Sequence, residues 1–287
     1  MLEEEVQKQA EKLKDKSSMV REQAVMALSK IGGDSAVKAL IEALKDEDSD
    51  VRQRAAEALG KVGEQAFVRV HDLQDEDKGV RQRAASALSR EISPTARAAV
   101  PALTEALKDD DEYVRNGAAR ALGRIGDDSA VPALIESLDD WQARYTVAGA
   151  LGDIGPGSKA AVPKLIELVK DEDRFMRRSA ASALGGIGPD SRDAVPLLIE
   201  WLEDQDLRSA AAAALGGIGL DAKAAVPLLI KYLDGDDEVA RRNAAEALGN
   251  IGDRSALPAL IELEKDEDKW VKKEAIDAIA KLGGSNG

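Results

Sequence analysis

A ten-residue phrase recurs along the whole chain, and its spacing constrains the fold more than any other feature. It reads VRQRAAEALG from Val51, VRQRAASALS from Val80 and VRNGAARALG from Val114. Looser copies start at Val20, Ala143, Met176, Leu207, Ala240 and Val271, so successive starts lie 31, 29, 34, 29, 33, 31, 33 and 31 residues apart. A period of this length marks a stacked supersecondary unit rather than a globular core. Its second position is basic in all nine copies: Arg21, Arg52, Arg81, Arg115, Arg144, Arg177, Arg208, Arg241 and Lys272.

A second phrase follows most copies, as AVPALIESL from Ala130, AVPKLIELV from Ala161, AVPLLIEWL from Ala194 and AVPLLIKYL from Ala225. Both phrases read as helices. Val114, Ala118, Leu122 and Ile125 fall on one face of a 3.6-residue period, and so do Val131, Leu134, Ile135 and Leu138. Glycine between the phrases suits a left-handed cap that stops the first helix. Pro101, Pro132, Pro163, Pro196, Pro227 and Pro258 fall in the first turn of the second helix, where a missing N–H costs little. Acidic turns such as Asp46–Asp50 precede the next first helix, where negative charge meets the positive end of the helix dipole.

Each repeat is thus a hairpin of helix A and helix B that buries its apolar stripes by stacking on its neighbours. The expected fold is all-α, one α-solenoid over residues 1–287. It comprises a lone B helix as N-terminal cap (1–15), eight hairpins, and a lone A helix with a tail as C-terminal cap (268–287), eighteen helices in all.

Composition narrows the function. Cysteine is absent and His71 is the one histidine, so disulfides, thiolate metal sites, Fe–S clusters and multi-histidine sites are excluded. A net charge of −14 argues against a nucleic-acid partner. The apolar runs are short and interrupted, and the first residues are acidic without an apolar core, so neither a membrane span nor a signal peptide is expected. A cytoplasmic monomer that is not an enzyme, without cofactor or metal, fits these figures. The turns DEDSD, DEDKG and DEDRF look like calcium loops, but the sixth position counted from Asp46 is Val51, a core residue.

The D-x-x-x-x-V-R, A-A-x-A-L-G-x-I-G and A-V-P-x-L-I phrases together resemble the short HEAT-like repeat of phycobilisome-lyase-type proteins, over essentially the whole chain. They are also similar to artificial consensus proteins made from that repeat. Asp46, Asp75, Asp109, Asp171 and Asp266 stand five residues before the Val position. In that family this aspartate and the following arginine form a ladder between repeats. Deoxyhypusine hydroxylase, built on similar repeats, holds di-iron with His-Glu pairs, and this chain contains none. Bilin lyases carry aromatic-rich and histidine-containing stretches in their early repeats. Here those repeats read MVREQAVMALSKIGG and VRQRAAEALGKVG.

Function is then sought in outward columns that vary. In HEAT-like solenoids helix B lines the concave face. One of its columns reads Ala43, Ala106, Ser137, Leu168, Trp201, Tyr232, Leu263, and another reads Ala39, Ala102, Ala133, Lys164, Leu197, Leu228, Ala259. A third carries Glu42, His71, Glu105, Glu136, Glu167, Glu200, Lys231 and Glu262. The expected partner-binding site on the concave face is therefore Leu168, Leu197, Trp201, Leu228, Tyr232 and Leu263, flanked by Glu167, Glu200 and Lys231. The competing reading packs the apolar members against neighbouring B helices. A column at helix-A starts (Met19, Tyr113, Phe175, Val239, Trp270) is expected to pack across the turn like a hydrophobic staple. His71 reads as repeat decay, and Glu264, in a leucine column, as a sign that the last B helix is rotated or frayed. A protein-binding scaffold is the favoured function. A bilin lyase or isomerase-type subunit and an engineered scaffold without native ligand are the alternatives.

Overall fold

The computed structural model describes residues 2–31, 34–44, 46–48, 50–52, 54, 55, 58, 72–88, 97 and 99–283. Among them there is no strand. The helices are α1 (Leu2–Lys12), α2 (Ser18–Ile31), α3 (Asp34–Ala43), α4 (Lys78–Leu88), α5 (Val100–Ala106), α6 (Glu112–Ile125), α7 (Val131–Ser137) and α8 (Arg144–Ile154). They continue as α9 (Val162–Leu168), α10 (Arg174–Ile187), α11 (Val195–Trp201), α12 (Arg208–Ile218), α13 (Val226–Leu233), α14 (Glu238–Ile251), α15 (Leu257–Leu263) and α16 (Lys269–Lys281). The order alternates A and B helices, an all-α repeat fold. The A helix expected from Val51 falls partly, and the B helix before Asp72 almost wholly, outside the described residues, as does His71.

The chain divides into two compact units, Met1–Ala121 and Leu122–Gly287. In the first, α1, α2 and α3 pack on one another around Val6, Val25, Leu28, Ala36, Leu40, Val51 and Ala55. In the second, the A helices α8, α10, α12, α14 and α16 stack in succession, and each B helix packs on the A helix that follows it. A helices approach closely because they meet through alanine and glycine. A Cβ placed on Gly217 would collide with the Gly185 carbonyl oxygen, so only glycine fits there.

The elements end as their residues dictate. Gly126, Gly155, Gly188, Gly219 and Gly252 all take positive φ at the close of an A helix. Gly252 adopts the expected left-handed cap, with φ 83° and ψ 10°. Gly155, Gly188 and Gly219 differ, with ψ between −136° and −144°, because a 3-10 turn follows directly. Those turns (Gly155–Ala161, Gly188–Ala194, Gly219–Ala225) deliver the chain to a B helix of seven or eight residues with proline in its first turn. Glu264 is the C-terminal cap residue of α15, a place that Leu138, Val169 and Leu202 hold elsewhere, so the last B helix forms normally.

The 26-residue stretch Arg208–Leu233 contains an 18-residue window as apolar as a membrane span, with a mean hydropathy of 1.5. It is nevertheless three elements, since α12 ends at Ile218 and the turn at Gly219 leads into α13. The longest α-helices among the described residues have 14 residues, about 21 Å, short of the ~30 Å hydrocarbon core of a bilayer.

Candidate protein-binding surface

The B-helix columns are only partly outward. Trp201 is 8% exposed and Leu263 is 7% exposed. Both were expected to face a partner, and both are buried instead. The helices are two turns long, and α11 packs on the next repeat's 3-10 turn while α13 packs on α15, the contacts that cover Trp201 and Leu263 at the ends of α11 and α15. Leu168, Leu197, Leu228 and Tyr232 are half-buried, and Glu167, Glu200 and Lys231 are exposed. The structure thus leaves a ridge of three charges beside three partly covered leucines.

Tyr232 is engaged inside the protein. Its hydroxyl donates to the Leu202 carbonyl at 2.8 Å, and the Arg208 guanidinium lies 4.6 Å from its ring centroid. Arg208 Nε donates to the same carbonyl at 2.7 Å. The repeat ladder explains why. Arg21 pairs with Asp46 at 2.8 Å, Arg81 with Asp109 at 2.7 Å, Arg144 with Asp171 at 3.0 Å and Arg241 with Asp266 at 2.7 Å. In each case the carboxylate belongs to the next repeat. Asp46 also serves its own repeat, where its carbonyl accepts from Arg52 at 2.7 Å. For Arg208 the matching position is Gly235, which has no carboxylate, and the Tyr232 ring supplies the contact instead.

The ladder sets the electrostatics of the turns. Hydrogen bonds from Arg241 hold the Asp266 carboxyl below the ordinary carboxylate range. Burial opposes ionisation of Asp46, but Arg21 and the Asp48 amide outweigh it and its pKa is lowered as well. Glu274 moves the other way, pushed up by burial and then by the neighbouring Glu246.

A further acidic column does a separate task. Asp48, Asp77, Asp111, Asp140, Asp173, Asp204, Asp237 and Asp268 stand three residues before the Val position. Asp111, Asp173, Asp237 and Asp268 accept from the N–H two residues on, at 2.8–2.9 Å. They are the N-caps of the A helices. Their spacing was readable in the sequence, but the ladder aspartates two residues earlier obscured it.

That assignment overturns the staple. A staple needs an apolar residue just before the N-cap. With the cap at Asp111, Asp173, Asp237 and Asp268, the residues Tyr113, Phe175, Val239 and Trp270 fall two places after it and point to solvent. Tyr113, Phe175 and Trp270 are 66%, 56% and 55% exposed, and Met19 and Val239 are exposed too. Trp141, which belonged to no column, is 73% exposed. Tyr145, also outside the columns, hydrogen-bonds Asp173. In the second unit, Trp141 and Tyr145 flank the start of α8 and Phe175 stands at the start of α10. Arg174 covers the Phe175 ring at 4.9 Å.

Comparison with known proteins agrees with this architecture. The sequence model of the family described as HEAT repeats matches residues 6–88, 68–143, 138–216, 183–248 and 226–286. The chain belongs to the HEAT repeat family. A curated relative, deoxyhypusine hydroxylase of Neurospora crassa, is 30% identical over 90 residues, 30% of this chain, and the match spans 28% of that protein's length. Among solved structures, an engineered protein is 26% identical with a TM-score of 0.52, covering 98% of this chain and 89% of its own. The complex of CpcE and CpcF of phycocyanin lyase from Nostoc sp. PCC7120 is 27% identical with a TM-score of 0.34, covering 96% of this chain and 85% of that one.

The HEAT repeats carry no candidate metal centre in the described part, where no three His, Cys, Asp or Glu side chains converge. HEAT-repeat folds are in general non-catalytic and serve protein interaction.

Proposed function

We propose that this HEAT-repeat chain is a non-enzymatic scaffold that binds a protein or peptide partner along the face of its B helices, the face expected to be concave. The observation that carries the reading lies on three successive B helices in Leu122–Gly287. Half-buried Leu197 and Leu228 share one register, half-buried Leu168 stands in the neighbouring register of Trp201 and Tyr232, and each helix adds an exposed charge in Glu167, Glu200 or Lys231. Partly covered apolar side chains rimmed by charge fit a polar-rimmed interface. The test is capture of the partner from a native lysate, followed by affinity measurement with the triple variant Glu167→Lys, Glu200→Lys, Lys231→Glu. These positions are exposed, so the fold is retained. A loss of affinity supports the reading and an unchanged affinity defeats it. A tetrapyrrole titration of the same chain separates the scaffold from a bilin lyase-type subunit, which would shift the pigment's absorption band.

A second surface has its own observation. Trp141 and Phe175 are the most exposed aromatic pair on the second unit's A-helix starts, and aromatic side chains are frequent binding hot spots. Trp141→Ser with Phe175→Ser tests it on the same captured partner. Loss in this pair alone moves the partner from the B-helix face to the A-helix edge.

A further inference from the structure

The turn from α13 to α14 departs from the other B-to-A turns at two adjacent positions. Counted forward from the B helix, the register that holds Lys108, Asp139, Lys170, Glu203 and Lys265 elsewhere holds Asp234 here. One place later stand Asp109, Asp140, Asp171, Asp204 and Asp266, and here Gly235. Each of those five aspartates accepts the backbone N–H two residues on, at 2.8–3.0 Å. Such a bond closes an Asx-turn and commits the carboxylate to the backbone. Between α13 and α14 the exchange of aspartate for glycine creates instead the one Asp-Gly dipeptide of the sequence.

Asp234 is exposed, and among the described residues its carboxyl has no hydrogen-bond or ion-pair partner. Asp139, the other aspartate of this register, is held by Lys164 at 2.9 Å. The Gly235 N–H reaches only the Tyr232 carbonyl, at 3.4 Å. Gly235 is exposed as well, and it has no side chain to shield its nitrogen. A free carboxyl and a weakly held backbone nitrogen are thus neighbours in an exposed turn. The fold does not require glycine there. Its φ is not positive, and a Cβ would meet nothing nearer than the Tyr232 carbonyl oxygen at 3.5 Å.

We propose that Asp234–Gly235 is a site of spontaneous covalent modification, the conversion of Asp234 to isoaspartate. The Gly235 backbone nitrogen attacks Cγ of Asp234 and a C–N bond forms. The carboxyl hydroxyl leaves as water with the proton of that nitrogen, and the product is a succinimide. Water then adds at either carbonyl carbon of the ring. Opening the new C–N bond restores aspartate. Opening the original peptide C–N bond leaves the backbone running through Cβ and Cγ, with the former backbone carboxyl as a free acid. One water is released and one is consumed, so no oxidant, reductant or co-reactant is needed. The turn gains one backbone atom. Two ties depend on its length. The Gly235 carbonyl accepts from Arg241 at 2.8 Å, and Asp237 caps α14. Arg241 also carries the rung to Asp266. The modification therefore loosens the start of α14 and its tie to the next repeat.

The test ages the folded full chain at neutral pH and body temperature, digests it with trypsin and follows the peptide of residues 232–241. Isoaspartate has the mass of aspartate, so it is read as a second chromatographic peak, assigned by electron-transfer fragment ions specific to the isoaspartyl linkage. That peak is expected to grow with time in the folded chain, as it does in a synthetic peptide of residues 232–241. In the peptide of residues 125–144 no isoaspartate is expected at Asp139, which occupies the same register. Gly235→Ala is expected to abolish the peak. The added Cβ has room, so the fold is retained, and circular dichroism checks it. Aging is also expected to speed hydrogen exchange at the start of α14 and to lower the thermal midpoint, in the original chain and not in Gly235→Ala. The site is overturned if the synthetic peptide isomerises and the folded chain does not. Equal growth of the peak in Gly235→Ala, or equal isoaspartate at Asp139, overturns it too. An isoaspartyl peak that leaves exchange in α14 unchanged overturns the loosening of the rung.

Discussion

At the scale of single residues, buried groups behave differently from their neighbours in the same column. Ser158 and Ser191 are fully buried in the 3-10 turns, and neither hydroxyl has a hydrogen-bond partner. The corresponding residue of the next turn is Ala222, also fully buried. Ser158→Ala and Ser191→Ala are therefore expected to stabilise the chain by about 1 kcal/mol each, read as a higher urea midpoint with an unchanged slope. Trp201 is the opposite case. Its truncation to alanine is expected to cost about 3–5 kcal/mol as a core cavity, so a binding defect in that variant reports stability. Removing only the hydroxyl in Tyr232→Phe is expected to cost about 1 kcal/mol through the Leu202 carbonyl, with partner affinity kept. The identity of the column residues was legible in the sequence. Their burial was not, because whether Leu197 or Trp201 meets water depends on the next repeat's turn.

At the scale of elements, the A helices are started by one aspartate and tied to their neighbours by another. Asp266 contributes stability that is complete above its unfolded pKa near 3.9 and is lost as pH falls through its lower folded value. Acid denaturation of Asp266→Asn is expected to be less steep in that interval, measured by ellipticity against pH. Glu274 has the reverse sign, because its folded pKa is raised. Its native-state penalty is present at neutral pH and is relieved as pH falls through the raised value toward ~4.3. Glu274→Gln is therefore expected to raise the thermal midpoint at pH 7 and to leave it unchanged near pH 4. The N-cap aspartates and the prolines of the B helices follow from local rules and could be read in order along the chain. The exposed edge of Tyr113, Phe175 and Trp270 could be read only once the cap was placed three residues before the Val position. A shift of one residue in the helix start moves a side chain from staple to solvent.

At the scale of the whole molecule, stability in a repeat array is carried between neighbours. Gly217 lies where α12 meets α10, and a Cβ there strikes backbone. Gly217→Ala is expected to cost about 1–3 kcal/mol. By hydrogen exchange its loss of protection is expected to centre on α10, α12 and α14, while Val25 and Leu28 of α2 keep theirs. Uniform loss over both units would show that the array opens as one body.

The sequence by itself determined the repeat, its helical hairpins, the breaks at glycine and proline, and the aspartate–arginine register. All of these arise from interactions within one repeat or between adjacent copies of one pattern. Only the tertiary structure decided which apolar residues are surface. It buried Trp201 and Leu263 and exposed Trp141 and Phe175. Exposure is a property of the space between elements. That space depends on how closely helices of seven residues approach their neighbours, which no single repeat encodes.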